Sequence, residues 1–308
     1  MFTGSAVAIV TPFADGQIDI AALTKLVELH LANGTQALIP LGTTGEASTL
    51  TVEERATVIK AVVAAAKGQI PVIVGIGHNC TSTAIALAQQ AEALGADGLL
   101  LLTPYYNKTS SRGLVAHFRA VAAATALPII LYNVPSRTSM NLPPAVLVEL
   151  QDVANIVGVK EASGDIAQVL EIRRLMPPAF AIYSGNDDQV APVLACGGQG
   201  VISVAANIIP SVMQTICQTY LSGQTKAALE LQLAYKPLID QLFCEVNPIP
   251  VKAALELMGL IDGELRLPLV PLAPENQVRL AETLRNYGLL PGKTKEPSPC
   301  LRENEQCE

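Results

Sequence analysis

A lysine at the tip of an apolar run is the residue with the most chemical promise in this chain. Lys160 follows Ile156-Val157-Gly158-Val159, so its stem leaves a strand expected to be buried, where low-dielectric surroundings disfavour the ammonium form. A neutral amine attacks a ketone and forms a Schiff base. The competing reading is a strand-end lysine paired with a carboxylate such as Glu161. Tyr132 ends the neighbouring apolar run, and a phenol beside an amine can shuttle protons while a carbinolamine forms and dehydrates. It can equally be a barrel-layer aromatic bonded to backbone. Thr43 and Thr44 stand between glycines in G-T-T-G, where hydroxyls and open backbone N–H groups could hold a carboxylate, or make an ordinary tight turn. Arg137 follows a proline turn and suits two-pronged carboxylate recognition, although a lone arginine is by default a surface residue. The histidines do not compete. His30 and His117 lie in helical patterns and His78 in a loop, with no H-x-H spacing and no triad-like neighbour.

These residues need a frame that brings them to one place. Short runs rich in Val, Ile and Leu recur at 6–10, 37–41, 72–76, 98–102, 129–132, 156–160, 181–184 and 200–204. Continuous rather than alternating hydrophobicity marks strands buried on both faces, as in parallel sheets covered by helices. Helical patterns separate them at 20–33, 51–67, 81–94, 113–125, 143–150, 166–175 and 190–196. The second opens with T-V-E-E, which sets Glu54 three residues after Thr51 in a capping-box pattern. Eight strand–helix alternations over about 220 residues favour a closed (β/α)₈ TIM barrel. An open doubly wound sheet would be expected to show G-x-G-x-x-G after its first strand, and VTPFADGQ lacks it. In a barrel, functional residues sit at the C-terminal strand ends and in the loops beyond. That selects 42–46, 103–107, 132–138, Lys160 and 184–187. After Val204 the strand signals stop, and several helices are expected from about 208 to 288, among them 224–243, 250–258 and 275–287. The expected organisation is a barrel over 1–223, a C-terminal helical region over 224–290 and a mobile, polar tail over 291–308.

Composition excludes several classes. The chain has 308 residues, half of them hydrophobic and 15% charged, with a net charge of −7. Disordered chains are poor in apolar residues and rich in charge, and polyanion binders need clustered cations, so neither fits and no nucleic-acid partner is expected. Residues 189–225 carry no charge, but Pro192, Gly197, Gly198, Asn207 and Pro210 interrupt them well short of the ~18 apolar residues of a spanning helix. The start, MFTGSAVAIVTPF, has no basic opening of a secretory signal and reads as the first strand. Six scattered cysteines without C-x-x-C are expected to be reduced thiols of a cytoplasmic protein, not a zinc site.

Two long stretches carry a family resemblance: IPLGTTGEASTLTVEE, and YNVPSRTSMNLPPAVLVELQDVANIVGVKEAS with 28 positions from Tyr132 to Lys160. Both closely resemble the signature regions of the dihydrodipicolinate synthase / N-acetylneuraminate lyase family, and VTPF, TPYYN, SGND, ISVAAN and NPIPVKAAL extend the likeness over residues 1–290. The resemblance implies a (β/α)₈ lyase that joins Lys160 to a 2-oxo acid, usually pyruvate, without a metal or organic cofactor. Tyr132 would be the proton-transfer partner, and Thr43 would relay protons to a Tyr106 supplied by a neighbouring subunit. Thr44 and Gly185 would contact the pyruvate carboxylate, and the Ile202 carbonyl would lie near the imine. A homotetramer, a dimer of dimers, is the usual assembly. YNVPSRT looks like the synthase branch, in which Arg137 would meet the carboxylate of L-aspartate-4-semialdehyde and the product would be 4-hydroxy-tetrahydrodipicolinate. The rivals are an aldolase of the same family acting on a hydroxy-oxo or sugar acid, and a non-catalytic barrel. Feedback-sensitive members bind lysine at positions corresponding to Ser48, Val52, Arg55, Asn79, Thr83 and Tyr105. Val52, Arg55 and Thr83 depart from that pattern, so weak or absent lysine inhibition is expected from a vestigial site.

Overall fold

The computed structural model describes residues 1–291, so the expected tail, with Cys300 and Cys307, lies outside the described residues apart from its first position. Eight parallel strands form the core: β1 (Gly4–Val7), β2 (Ala37–Leu38), β3 (Ile73–Gly75), β4 (Gly98–Leu102), β5 (Ile129–Asn133), β6 (Ile156–Glu161), β7 (Ala181–Ser184) and β8 (Gly200–Ser203). Each pairs with its sequence neighbours except β2 with β3, and β8 pairs back onto β1 from Gly4↔Gly200 to Val7↔Ser203. A bridge between Leu38 and Val72 joins β2 to β3 and completes the ring. This is the TIM barrel expected from the eight apolar runs.

Helices α1 (Ile20–Ala32), α2 (Val52–Ala66), α3 (Thr81–Ala93), α4 (Ser111–Ala122), α5 (Pro135–Thr138), α6 (Pro144–Glu149), α7 (Ile166–Leu175), α8 (Val190–Ala195) and α9 (Pro210–Leu221) follow the strands. Three more end the described residues: α10 (Thr225–Gln241), α11 (Ile249–Leu257) and α12 (Pro274–Asn286). The capping box of α2 is formed, with the Thr51 hydroxyl accepting from the Glu54 amide at 3.2 Å and the Glu54 carboxylate accepting from the Thr51 amide at 2.8 Å. No helix among the described residues is long and apolar enough to cross a membrane.

Several strands are shorter than their apolar runs. The first run continues to Val10, but the strand stops at Val7. Beyond it the Val10 amide donates to the Asn207 side chain and not to a strand, at 3.2 Å. Two elements escaped the hydrophobic pattern. One is a hairpin of Phe13–Ala14 with Gln17–Ile18, turned by Asp15 and Gly16, both at positive φ. Asp-Gly is a strong hairpin signal, but the strands are too short to show a period. The other is the one-turn α5, whose Pro135 suits the first helical turn.

Two apolar cores result. One lies between strands and helices. The other fills the barrel and includes Ala6, Ala8, Ile39, Ile73, Leu100, Ile130, Tyr132, Tyr183 and Ile202. Phe2, just before β1, closes the N-terminal end of the barrel: its ring stacks on Tyr183 at 4.3 Å, and the Tyr183 hydroxyl donates to the Phe2 carbonyl at 2.7 Å.

Candidate active site

Tyr132 and Lys160 are register partners on adjacent strands. Side chains at paired positions point to the same face, and here that face is the barrel interior. Both are buried, and the Lys160 ammonium nitrogen lies 4.4 Å from the centre of the Tyr132 ring. Glu161, one residue on, points to the opposite side. There its carboxylate accepts from the Asn133 side chain at 3.0 Å, the Ser163 amide at 2.7 Å and Gln168 at 3.0 Å. A Lys160–Glu161 ion pair is therefore not formed.

Burial lowers the Lys160 pKa to about 8; the Asp187 carboxylate pulls it up and the Arg137 charge pushes it further down. Burial raises Tyr132 to about 12, against the opposing effects of Arg137 and Thr43. At neutral pH the site thus holds an amine with an appreciable neutral fraction beside a protonated phenol. Asp187 was not singled out from the sequence, although the SGND loop containing it was. It is buried. One of its oxygens accepts from the Val204 and Ala205 amides at 3.0 and 2.9 Å, while the other has no hydrogen-bond partner among the described residues.

A cavity of about 180 Å³ opens over Lys160, with Thr43, Thr44, Tyr132, Arg137 and Gly185 among its walls. Gly185 is there because nothing larger fits: a Cβ would stand 2.6 Å from that of Ala162 and 3.1 Å from Cε of Lys160. Thr44 is buried, and its hydroxyl accepts from the Asn247 side-chain amide at 3.0 Å. Arg137 lies on α5 at the exposed rim and donates to the Asn247 carbonyl at 3.1 Å. Asn247 thus joins two residues predicted as binding groups, and its own Oδ1 is buried without a partner among the described residues. It was missed as a site residue because the NPIPVK stretch served only the resemblance. Ile202 sits deeper in the barrel core. Tyr106 is not gathered with the others: it stands at φ 67° and is 90% exposed, outside the cavity.

A larger cavity of about 410 Å³ adjoins the first and shares Thr43, Tyr132 and Arg137 with it. Ser48, Val52, Arg55, Thr83 and Tyr105 line it, and Asn79 does not; the Asn79 carbonyl instead accepts from Asn107 at 3.0 Å. Arg55 is buried and donates to the carbonyls of Ala47 at 3.2 Å and Gly75 at 2.7 Å.

An amine of lowered pKa, a phenol, a hydroxyl pair and an arginine converging on one pocket suit imine chemistry on a small carbonyl acid. Comparison with known proteins points the same way. The model of the dihydrodipicolinate synthetase family matches residues 1–287. A 4-hydroxy-tetrahydrodipicolinate synthase of Alkaliphilus oremlandii is 56% identical over 290 residues, 94% of this chain and all of that one. The crystal structure of a dihydrodipicolinate synthase from Thermotoga maritima superposes with a TM-score of 0.93 at 44% identity, covering 94% of this chain and all of the other. That of a chloride-inhibited dihydrodipicolinate synthase from Acinetobacter baumannii, complexed with pyruvate, gives 0.92 at 45% identity over the same shares.

Proposed function

The chain belongs to the dihydrodipicolinate synthetase family and is a lyase, and from that premise we propose that it condenses pyruvate with L-aspartate-4-semialdehyde to 4-hydroxy-tetrahydrodipicolinate through an imine on Lys160. The observation that carries the reading is the Lys160–Tyr132 register pair, with the amine lowered to about 8 by burial.

In the first step the neutral Lys160 amine attacks the pyruvate ketone. Tyr132, protonated at neutral pH, delivers a proton to the departing carbinolamine oxygen and Thr43 connects it to the next donor. Thr44, the backbone at Gly185 and the Ile202 carbonyl surround the carboxylate and the imine, and the Asp187 carboxylate offsets the iminium charge. The Tyr132 phenolate left by that transfer takes a methyl proton to give the enamine, whose carbon adds to the aldehyde while the phenol returns the proton to the aldehyde oxygen. The semialdehyde's carboxylate meets Arg137 at the rim, and its amine then attacks the imine carbon, closes the ring and releases Lys160. The protonated imine is the electron sink for both carbon–carbon bond formation and ring closure.

Three finer points belong to the same reading. Tyr106 serves the site of a neighbouring subunit within a homotetramer, in keeping with its exposed ring. Lysine inhibits weakly or not at all: no acidic residue lines the larger cavity among the described residues, Arg55 adds positive charge, and Thr83 offers only a hydroxyl. The enzyme works in the cytoplasm with residues 224–290 as a helical region beside the barrel; Cys80, Cys196, Cys217 and Cys244 are free thiols.

Borohydride reduction in the presence of pyruvate tests the chemistry. The expected result is a pyruvate-derived mass on the peptide containing Lys160 and none in Lys160→Ala; trapping elsewhere refutes the assignment. A coupled assay with aspartate semialdehyde against sugar acids tests the second substrate.

A further inference from the structure

Behind the threonine loop lies an ion pair with no part in the chemistry above. Glu46, two residues after Thr44, and Lys252 on α11 meet at 2.7 Å with their side chains 1% and 0% exposed. The ammonium also donates to the Thr11 carbonyl at 3.1 Å and the Glu264 carbonyl at 2.5 Å, so all three of its protons are engaged, and it lies 4.4 Å above the Phe13 ring. The second Glu46 oxygen accepts from the Arg266 amide at 3.1 Å.

A pair this deeply buried gives up most of what attraction provides to desolvation, and apolar residues of like volume often leave a protein as stable or more so. What an apolar pair cannot do is fix direction. The loop between β2 and α2 needs direction. Leu41 and Glu46, which bracket its Gly42–Gly45 turn, both stand in the left-handed region at φ 59° and 51°, which non-glycine residues hold only when their surroundings impose it. Gly45 leaves little room for a side chain, a Cβ there falling 3.1 Å from the Leu41 amide nitrogen and 3.2 Å from the Ile9 carbonyl. Thr11 also donates to the Gly45 carbonyl at 2.7 Å. The ammonium therefore ties one end of this strained turn to the exit of β1 and to the C-terminal segment at once.

We propose that the buried Glu46–Lys252 pair is a positioning device that holds the 42–46 loop in the conformation in which Thr43 reaches Tyr132 and Thr44 addresses the substrate carboxylate. The inference rests on the reading of the site as a pyruvate-imine site. It makes the C-terminal region part of the substrate-binding apparatus, through a residue that touches no substrate.

The test separates positioning from stability. Lys252→Met leaves Glu46 buried and unpaired and should lower the melting temperature strongly; Glu46→Leu/Lys252→Met removes both charges and should recover most of it. Both are expected to show a pyruvate KM raised about fivefold or more, unrecovered in the double variant, because the loop has lost its direction. Glu46→Gln, which keeps volume and an acceptor for Lys252, should stay folded by circular dichroism and raise the pyruvate KM about threefold or more. A KM that returns with the melting temperature in the double variant, or is unchanged in folded Glu46→Gln, overturns the inference. Absence of borohydride trapping with pyruvate in the unaltered enzyme overturns the functional reading instead.

Discussion

The ionisation of Lys160 sets a measurable pH dependence. An exposed lysine at 10.5 is neutral in only ~0.03% of molecules at pH 7, whereas one at about 8 is neutral in ~9%. Burial thus raises the concentration of attacking amine by roughly two orders of magnitude. Because the free-enzyme pKa governs kcat/KM, kcat/KM for pyruvate should rise about tenfold from pH 6 to 7 and about fivefold from 7 to 8. It should then level off above about 9, since Tyr132 stays protonated until about 12. The sign follows from the direction of the shift: a lowered amine pKa makes the reactive form appear at lower pH. Arg137 pushes the amine down, so Arg137→Leu should move the break upward; Asp187 pulls it up, so Asp187→Asn should move it downward. Initial rates at saturating second substrate between pH 6 and 10, with each variant's melting temperature checked across the range, provide the measurement. A profile of the unaltered enzyme that still climbs tenfold per pH unit beyond 9.5 would refute the claim that burial activates this amine.

Other consequences can be checked directly. Tyr106→Phe should lose most turnover while binding pyruvate nearly as well, and mixing it with Lys160→Ala subunits should restore some activity; no recovery despite proven subunit exchange would place each site within one chain. Arg137→Ala should raise KM for the semialdehyde about tenfold or more, as expected for losing a charge-assisted hydrogen bond of about 1.5–3 kcal/mol, with trapping by pyruvate alone retained. Lysine titrated against initial rates should not reach half-inhibition below the millimolar range; submillimolar inhibition would show that the cavity finds another acceptor for the ammonium. Thr51→Ala should cost about 1 kcal/mol by removing the α2 cap, seen as a lower melting temperature with unchanged KM for pyruvate.

The barrel was legible because buried parallel strands leave continuous apolar runs, and the loops at their ends were legible because the barrel dictates where function sits. Lys160 and Tyr132 could be paired before the fold was known, since each terminates such a run. What escaped was the set of contacts that close across the chain. Asn247 meets Thr44 at a separation of 203 residues, and Lys252 meets Glu46 at 206; no periodicity encodes a partner at that distance. A buried lysine inside an amphipathic helix reads from sequence as an ordinary polar-face residue. The boundaries slipped where apolar runs outlast their strands, as at Val10, because hydrophobicity records burial and not hydrogen-bonded pairing. Asp187 was invisible as a counter-charge for a similar reason: its importance comes from the amine it faces, which belongs to another strand.

The Phe2–Tyr183 stack has a consequence for traffic. With that end of the barrel stoppered, molecules enter and leave only past the loops, where Arg137 stands at the rim and Lys160 lies at the bottom. On the proposed reaction, the partner that binds covalently must arrive before the one held at the rim, because a molecule bridging Arg137 and the loop would bar the way down. Nor can a second pyruvate descend until the finished ring has climbed out. On that reading the order of substrates follows from the shape of the site, as in a well with a single mouth.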